Sequence, residues 1–173
     1  MPAPFNTIDL ATLALRPGEG RRVDVELRPE ALDLGGERFA FDPGAVAVRL
    51  DISRTAAGHA LRLRASGTLE GPCMRCLEDS IFAVEADARE VEQPSSNDEE
   101  LTSPYVSEGV LDVGAWAHDA IALALPQTLL CRPDCAGLCP ECGVSLNEVD
   151  PATHVHERPP DPRWAKLREL QDR

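Results

Sequence analysis

The chain has 173 residues, enough for one domain with a real core or one domain with a small appendage, and 43% of them are apolar but only 4% aromatic, so Ala, Val and Leu must fill that core. Thirty acidic residues against seventeen basic ones give a net charge of −13, with Lys166 the single lysine, which argues against nonspecific binding of nucleic acid through neutralised phosphates. No stretch approaches the roughly 18 uninterrupted apolar residues of a membrane span, and Met1 to Asn6 carry neither a basic nor an apolar targeting segment, so a cytoplasmic protein is expected.

In chain order, Ile8, Leu10, Leu13 and Leu15 predict one short helix over 6–16, stopped by Pro17 and Gly18. Val23, Val25 and Leu27 alternate with Asp24 and Glu26, the period of a half-buried strand. Arg38 to Phe41 predicts a second, short strand. The alternation returns over 45–53 (Val46, Val48, Leu50, Ile52), 59–70 (Leu61, Leu63, Ala65, Leu69) and 80–91 (Phe82, Val84, Ala86, Ala88). Successive half-buried strands with short links predict an antiparallel meander. With the last two as a hairpin around 71–78, Arg62 and Arg64 fall near Glu85 and Asp87, as solvent-face ion pairs rather than an RNA-binding patch.

Residues 92–104 form an acidic loop without periodicity, expected to be mobile. Asp112 can then N-cap a helix to about Leu125. Its apolar stripe of Val113, Trp116, Ala117, Ala120, Ile121, Ala124 and Leu125 suits the open face of the sheet. Pro126 stops it. A last short helix is predicted from Asp161 and Pro162, with Trp164, Leu167 and Leu170 on one side. The expected fold is therefore α+β: an antiparallel meander packed by one amphipathic helix (1–126), followed by a cysteine-rich segment (127–173) with a zinc knuckle and a short terminal helix.

Six cysteines in a reducing cytosol read as metal ligands rather than three disulfides. In Cys139-Pro-Glu-Cys142-Gly143 two thiolates can reach one tetrahedral ion, and Gly143 lets the chain turn behind the second. Cys131 and Cys135 stand just upstream, and Cys73 and Cys76 occupy the presumed hairpin tip. Structural zinc takes four ligands, and six cysteines do not divide by four, but His154 and His156 bring the count to eight. Cys73, Cys76, Cys131 and Cys135 would hold one zinc, and Cys139, Cys142, His154 and His156 a second. A single site of Cys131, Cys135, Cys139 and Cys142 stands beside this, with Cys73 and Cys76 as a free dithiol and the histidines exposed without metal. A redox role for Cys73 and Cys76 is disfavoured, because strand, turn and strand flank them rather than a helix N-terminus. No catalytic centre is expected. His59 and His118 have no nucleophile beside them, Asp98, Glu99 and Glu100 lie in the loop, and phosphate-loop and triad motifs are missing.

The run from Cys131 to Asn147 resembles the signature of the bacterial YceD family. So do Cys73-Met-Arg-Cys-Leu77, Ala122-Leu-Ala-Leu-Pro126 and Asp161-Pro-Arg-Trp-Ala-Lys-Leu167, in family order over 60–170. Where the family often has a Cys-x-Cys after the knuckle, this chain has His154-Val155-His156. The resemblance implies a role in accumulation of large-subunit ribosomal RNA and brings no active site with it. Combined with the charge, it suggests an adaptor for a basic ribosomal protein or assembly factor, associated with that RNA indirectly. Direct RNA recognition through Arg75 and Arg132 is the rival reading, and a metal-dependent nuclease has little support.

Overall fold

A computed structural model describes residues 6–96, 98–150 and 152–156. The predicted terminal helix at 161–170 lies outside these residues. The fold is α+β, built mainly from antiparallel sheet. Strands β1 (Thr7–Asp9), β2 (Gly20–Leu27), β3 (Leu32–Leu34), β4 (Glu37–Arg54), β5 (His59–Pro72), β6 (Asp79–Glu92), β7 (Val106–Ser107) and β8 (Val110–Asp112) precede the helix α1 (Val113–Ala124).

The main sheet runs β2-β4-β5-β6, with β3 on the far part of β4. Its pairing sets Leu50 opposite Leu63, which itself faces Ala88, so the even–odd alternation of each strand delivers its apolar residues to one face. Val46, Val48, Leu50, Ile52, Leu61, Leu63, Leu69, Phe82 and Val84 are all buried there. Complete burial of such side chains stabilises by roughly 1.5–3 kcal/mol each.

Helix α1 covers that face, packing mainly on β6. Asp112 caps it, its carboxylate accepting from the Ala115 amide at 2.9 Å. Val113, Trp116, Ala117, Ala120 and Ile121 are buried as the stripe predicts, and Trp116 stacks on Tyr105 with ring centroids 6.1 Å apart. The stripe fades in the last turn, where Ala124 is exposed. Among the described residues no helix is long and apolar enough to cross a membrane.

The structure departs from the sequence reading in several places. The helix expected over 6–16 is the short strand β1 followed by a 3-10 turn at Leu10–Leu13. Asp9 caps this turn, and Ala14, at a left-handed φ of 49°, ends it. The two strands expected at 38–41 and 45–53 are one strand, because a bulge between Asp42 and Ala47 absorbs Pro43 and Gly44 without breaking the ladder to β5. The second sheet, β1-β8-β7, was not foreseen. On the solvent face Arg62 pairs with Asp87 and Arg64 stands directly opposite Asp87 as expected, although the Arg64 guanidinium bonds Asp51, and Glu85 stands opposite Ser66. The acidic stretch from Gln93 contains a 3-10 turn at Glu99–Leu101. Glu92, at the end of β6, accepts from the Ser103 amide at 2.9 Å.

Candidate metal centre

The β5–β6 hairpin ends in a tight tip. The Cys73 amide donates to the Glu78 carbonyl at 2.8 Å, and the Leu77 amide donates back to the Cys73 carbonyl at 2.9 Å. Leu77 takes φ 61°, which folds the tip so that Cys73 and Cys76 turn inward together. After α1 the chain returns to this tip, where the Met74 amide donates to the Leu129 carbonyl at 2.9 Å and the Leu129 amide donates to the Met74 sulfur at 3.3 Å. That clasp delivers Cys131 and Cys135 to the hairpin cysteines.

The four Sγ atoms lie within 4.8 Å of one another, with Cys73 to Cys135 at 3.8 Å and Cys76 to Cys131 at 3.7 Å. These separations are far beyond a disulfide bond of about 2.05 Å. An ion about 2.3 Å from each of four tetrahedral sulfurs sets edges of about 3.8 Å, so the donor set fits zinc in both number and spacing. Cys73 and Cys135 are fully buried, whereas Cys131 reaches solvent.

Burial pushes the Cys73 thiol up, but the amides of Cys76, Cys131 and Arg75 outweigh it and leave the thiol at about 6. Cys131 moves the other way. Desolvation, then the neighbouring thiols of Cys135, Cys76 and Cys73, push it up to about 12. Four thiolates this close cannot all ionise without a cation between them.

The second cluster is local to the tail. Pairing of Leu138 with Ser145 closes the knuckle, in which the Cys139 amide donates to the Val144 carbonyl and the Gly143 amide to the Cys139 carbonyl, both at 2.8 Å. Asp150 builds the turn that presents the histidines, its carboxylate accepting from the Ala152 amide at 2.9 Å and its carbonyl from the His154 amide at 3.0 Å. Cys139 Sγ is 3.3 Å from His156 Nε2, Cys142 Sγ is 3.6 Å from His154 Nε2, and the two Nε2 atoms are 3.0 Å apart. A tetrahedral ion with two sulfur and two nitrogen ligands calls for edges of about 3.3 Å between nitrogens, about 3.6 Å between sulfur and nitrogen and about 3.8 Å between sulfurs. The sulfur–nitrogen separations therefore fit, and the two nitrogens sit somewhat closer than an ion would hold them. The His154 imidazole, then the Cys142 amide, hold the Cys139 thiol down at about 6.

All eight candidates are therefore brought together, and in the two-by-four partition rather than the single-site one: Cys131 and Cys135 join the hairpin pair, not the knuckle. Sequence reasoning missed Asn147. Its Oδ1 accepts from the Ala136 amide at 2.8 Å, and its Nδ2 donates to Cys135 Sγ at 3.5 Å. An asparagine after a knuckle follows no periodicity, so only its place in the Cys131–Asn147 run hinted at it.

Fold and clusters together define a class: an antiparallel sheet domain whose hairpin tip and tail close around a four-cysteine set, with a two-cysteine, two-histidine set beside it. Residues 61–171 match the family model described as "Large ribosomal RNA subunit accumulation protein YceD", and the chain belongs to that family. Uncharacterized proteins of Mycobacterium tuberculosis and Mycobacterium bovis are each 35% identical to it, over 95% of this chain and 80% of their own length. An uncharacterized protein of Mycobacterium leprae is 31% identical, over 94% of this chain and 76% of its own. No solved structure matches.

Proposed function

We propose that this chain is a non-enzymatic, zinc-binding accessory protein of ribosome biogenesis. It supports the accumulation of large-subunit ribosomal RNA in the cytoplasm, as an adaptor for a basic ribosomal protein or assembly factor. The observation that carries this reading is the pair of complete four-ligand sets, Cys73, Cys76, Cys131, Cys135 and Cys139, Cys142, His154, His156. A tetrahedral ion filled by four protein ligands keeps no open position for water or substrate, which suits a structural role. The family description supplies the cellular process.

The choice of adaptor over direct RNA binder rests on charge and on two arginines. At −13 the chain repels phosphates. Arg75 Nη1 donates to the Cys135 carbonyl at 2.8 Å and Arg132 lies 3.4 Å from Asp134, so these two arginines beside the four-cysteine set are engaged within the protein.

Deleting the gene should lower large-subunit relative to small-subunit ribosomal RNA. The purified protein should carry two equivalents of zinc, and its binding to free ribosomal RNA at physiological salt should be weak. Tight, steeply salt-dependent binding to naked RNA, lost in Arg132→Ala, would favour direct recognition instead. Normal RNA ratios in the deletion strain would sink both.

A further inference from the structure

The two clusters are only three residues apart in the chain, between Cys135 and Cys139, and the segment joining them folds back on itself. The Leu146 amide donates to the Gly137 carbonyl at 2.8 Å, extending the short ladder that begins with Leu138 opposite Ser145. The next residue is Asn147. The loop that carries Cys139 and Cys142 thus ends on a side chain that donates to a ligand of the other cluster, Cys135 Sγ, at 3.5 Å. The same amide group is held in place by the Ala136 N–H on its Oδ1 at 2.8 Å, which orients the Nδ2 donor toward sulfur. Cys135 is fully buried, so no water competes for that sulfur.

We propose that Asn147 is a positioning residue that couples the two metal sites. This inference rests on the metal-binding reading above. An ion held by Cys139, Cys142, His154 and His156 fixes the ends of the loop and its ladder. The ladder in turn holds Asn147 against Cys135, where the N–H donor stabilises the thiolate that binds the first ion. Outer-shell donors to a ligand typically change metal affinity about 10- to 100-fold. Coupling between sites is reciprocal, so filling either site tightens the other by the same factor.

The test is titration of cobalt(II) into the reduced, metal-free, full-length protein, because four-sulfur and two-sulfur, two-nitrogen sites absorb differently and each filling is read separately. Wild-type protein should take up two equivalents cooperatively. In Asn147→Ala the two fillings should separate, with the four-sulfur affinity about 10-fold or more lower. Asn147→Asp keeps the acceptor for the Ala136 N–H but has no donor for sulfur, so it should lose at least as much. Cys142→Ala, which removes the second site, should weaken the first, and adding Asn147→Ala to it should cost little more.

Far-UV circular dichroism of each variant reports whether the sheet is intact. Unchanged four-sulfur affinity in Asn147→Ala would overturn the coupling. So would wild-type affinity in Asn147→Asp, or losses that simply multiply in the double variant. A wild-type protein that takes up no cobalt would overturn the metal reading itself, and the coupling with it.

Discussion

Gly137 lies where two constraints meet. It takes φ +80°, and a Cβ built there would come within 3.1 Å of the Arg75 carbonyl oxygen, on the backbone of the hairpin tip. An alanine must therefore adopt a left-handed conformation and also press on the backbone of the tip that holds Cys73 and Cys76, which has to give by a few tenths of an ångström. Gly137→Ala should destabilise the metal-loaded protein by about 1–3 kcal/mol, read by denaturant unfolding. It should also weaken the four-cysteine site. Wild-type stability in that variant would mean the tail does not press on the tip as described. At this scale the ligands were legible and their supports were not. Cysteine pairs announce themselves by spacing, because two thiolates reaching one ion need a short turn between them. Arg75 on the Cys135 carbonyl and Asn147 on its sulfur join positions 60 and 12 residues apart, and no local pattern encodes that.

Among the elements, the charged ladder on the open face of the sheet offers a measurable pH dependence. Arg22 Nε lies 2.9 Å from Asp51, and Arg64 reaches the same carboxylate from the other side. The Arg22 hydrogen bond, against partial desolvation and with help from Arg64, holds the Asp51 carboxyl below its ordinary range. A carboxyl lower in the folded than in the unfolded chain contributes stability above its unfolded value of about 3.9, lost as pH falls through the folded one. Asp51→Asn should therefore be less stable than wild type at pH 7, and the gap should close below pH 4. The gap should also shrink in salt, because these side chains are exposed. A gap independent of pH would mean that Asp51 acts through packing alone. The long strands were readable because ten or so residues of strict alternation on a one-sided sheet leave little else to fit. The three-residue strands β1, β3 and β8 and the two-residue β7 have no period to show. At Pro43 and Gly44 the sequence reads as a break, yet partners on β5 carry β4 through a bulge.

At the scale of the whole molecule, the apolar core and the metal clusters are separate bodies of packing. The core runs from Leu10 to Leu129 through the sheet and α1, and no candidate ligand belongs to it. Among the described residues Cys73, Cys76 and Cys135 form their own buried group, and Leu130 is the hydrophobic side chain packed against it. The sheet and helix up to 126, with Leu129 packed onto them, should therefore behave as a unit whose stability comes from apolar burial. The segment from 130 should depend on metal, since ligands this close repel when ionised and lose their centre when the ion leaves. Chelation should then leave far-UV circular dichroism and the burial of Trp116 largely intact. Amide exchange should accelerate at 73–78 and 130–147, while 46–52, 61–69 and 113–121 stay protected. Local opening of this kind is expected where few apolar contacts hold a segment. Global unfolding on chelation would show instead that metal and core fold as one, and the boundary at 126 would have no physical meaning. Unchanged exchange at the tip and tail would show that hydrogen bonds alone, such as those between Met74 and Leu129, suffice to close them.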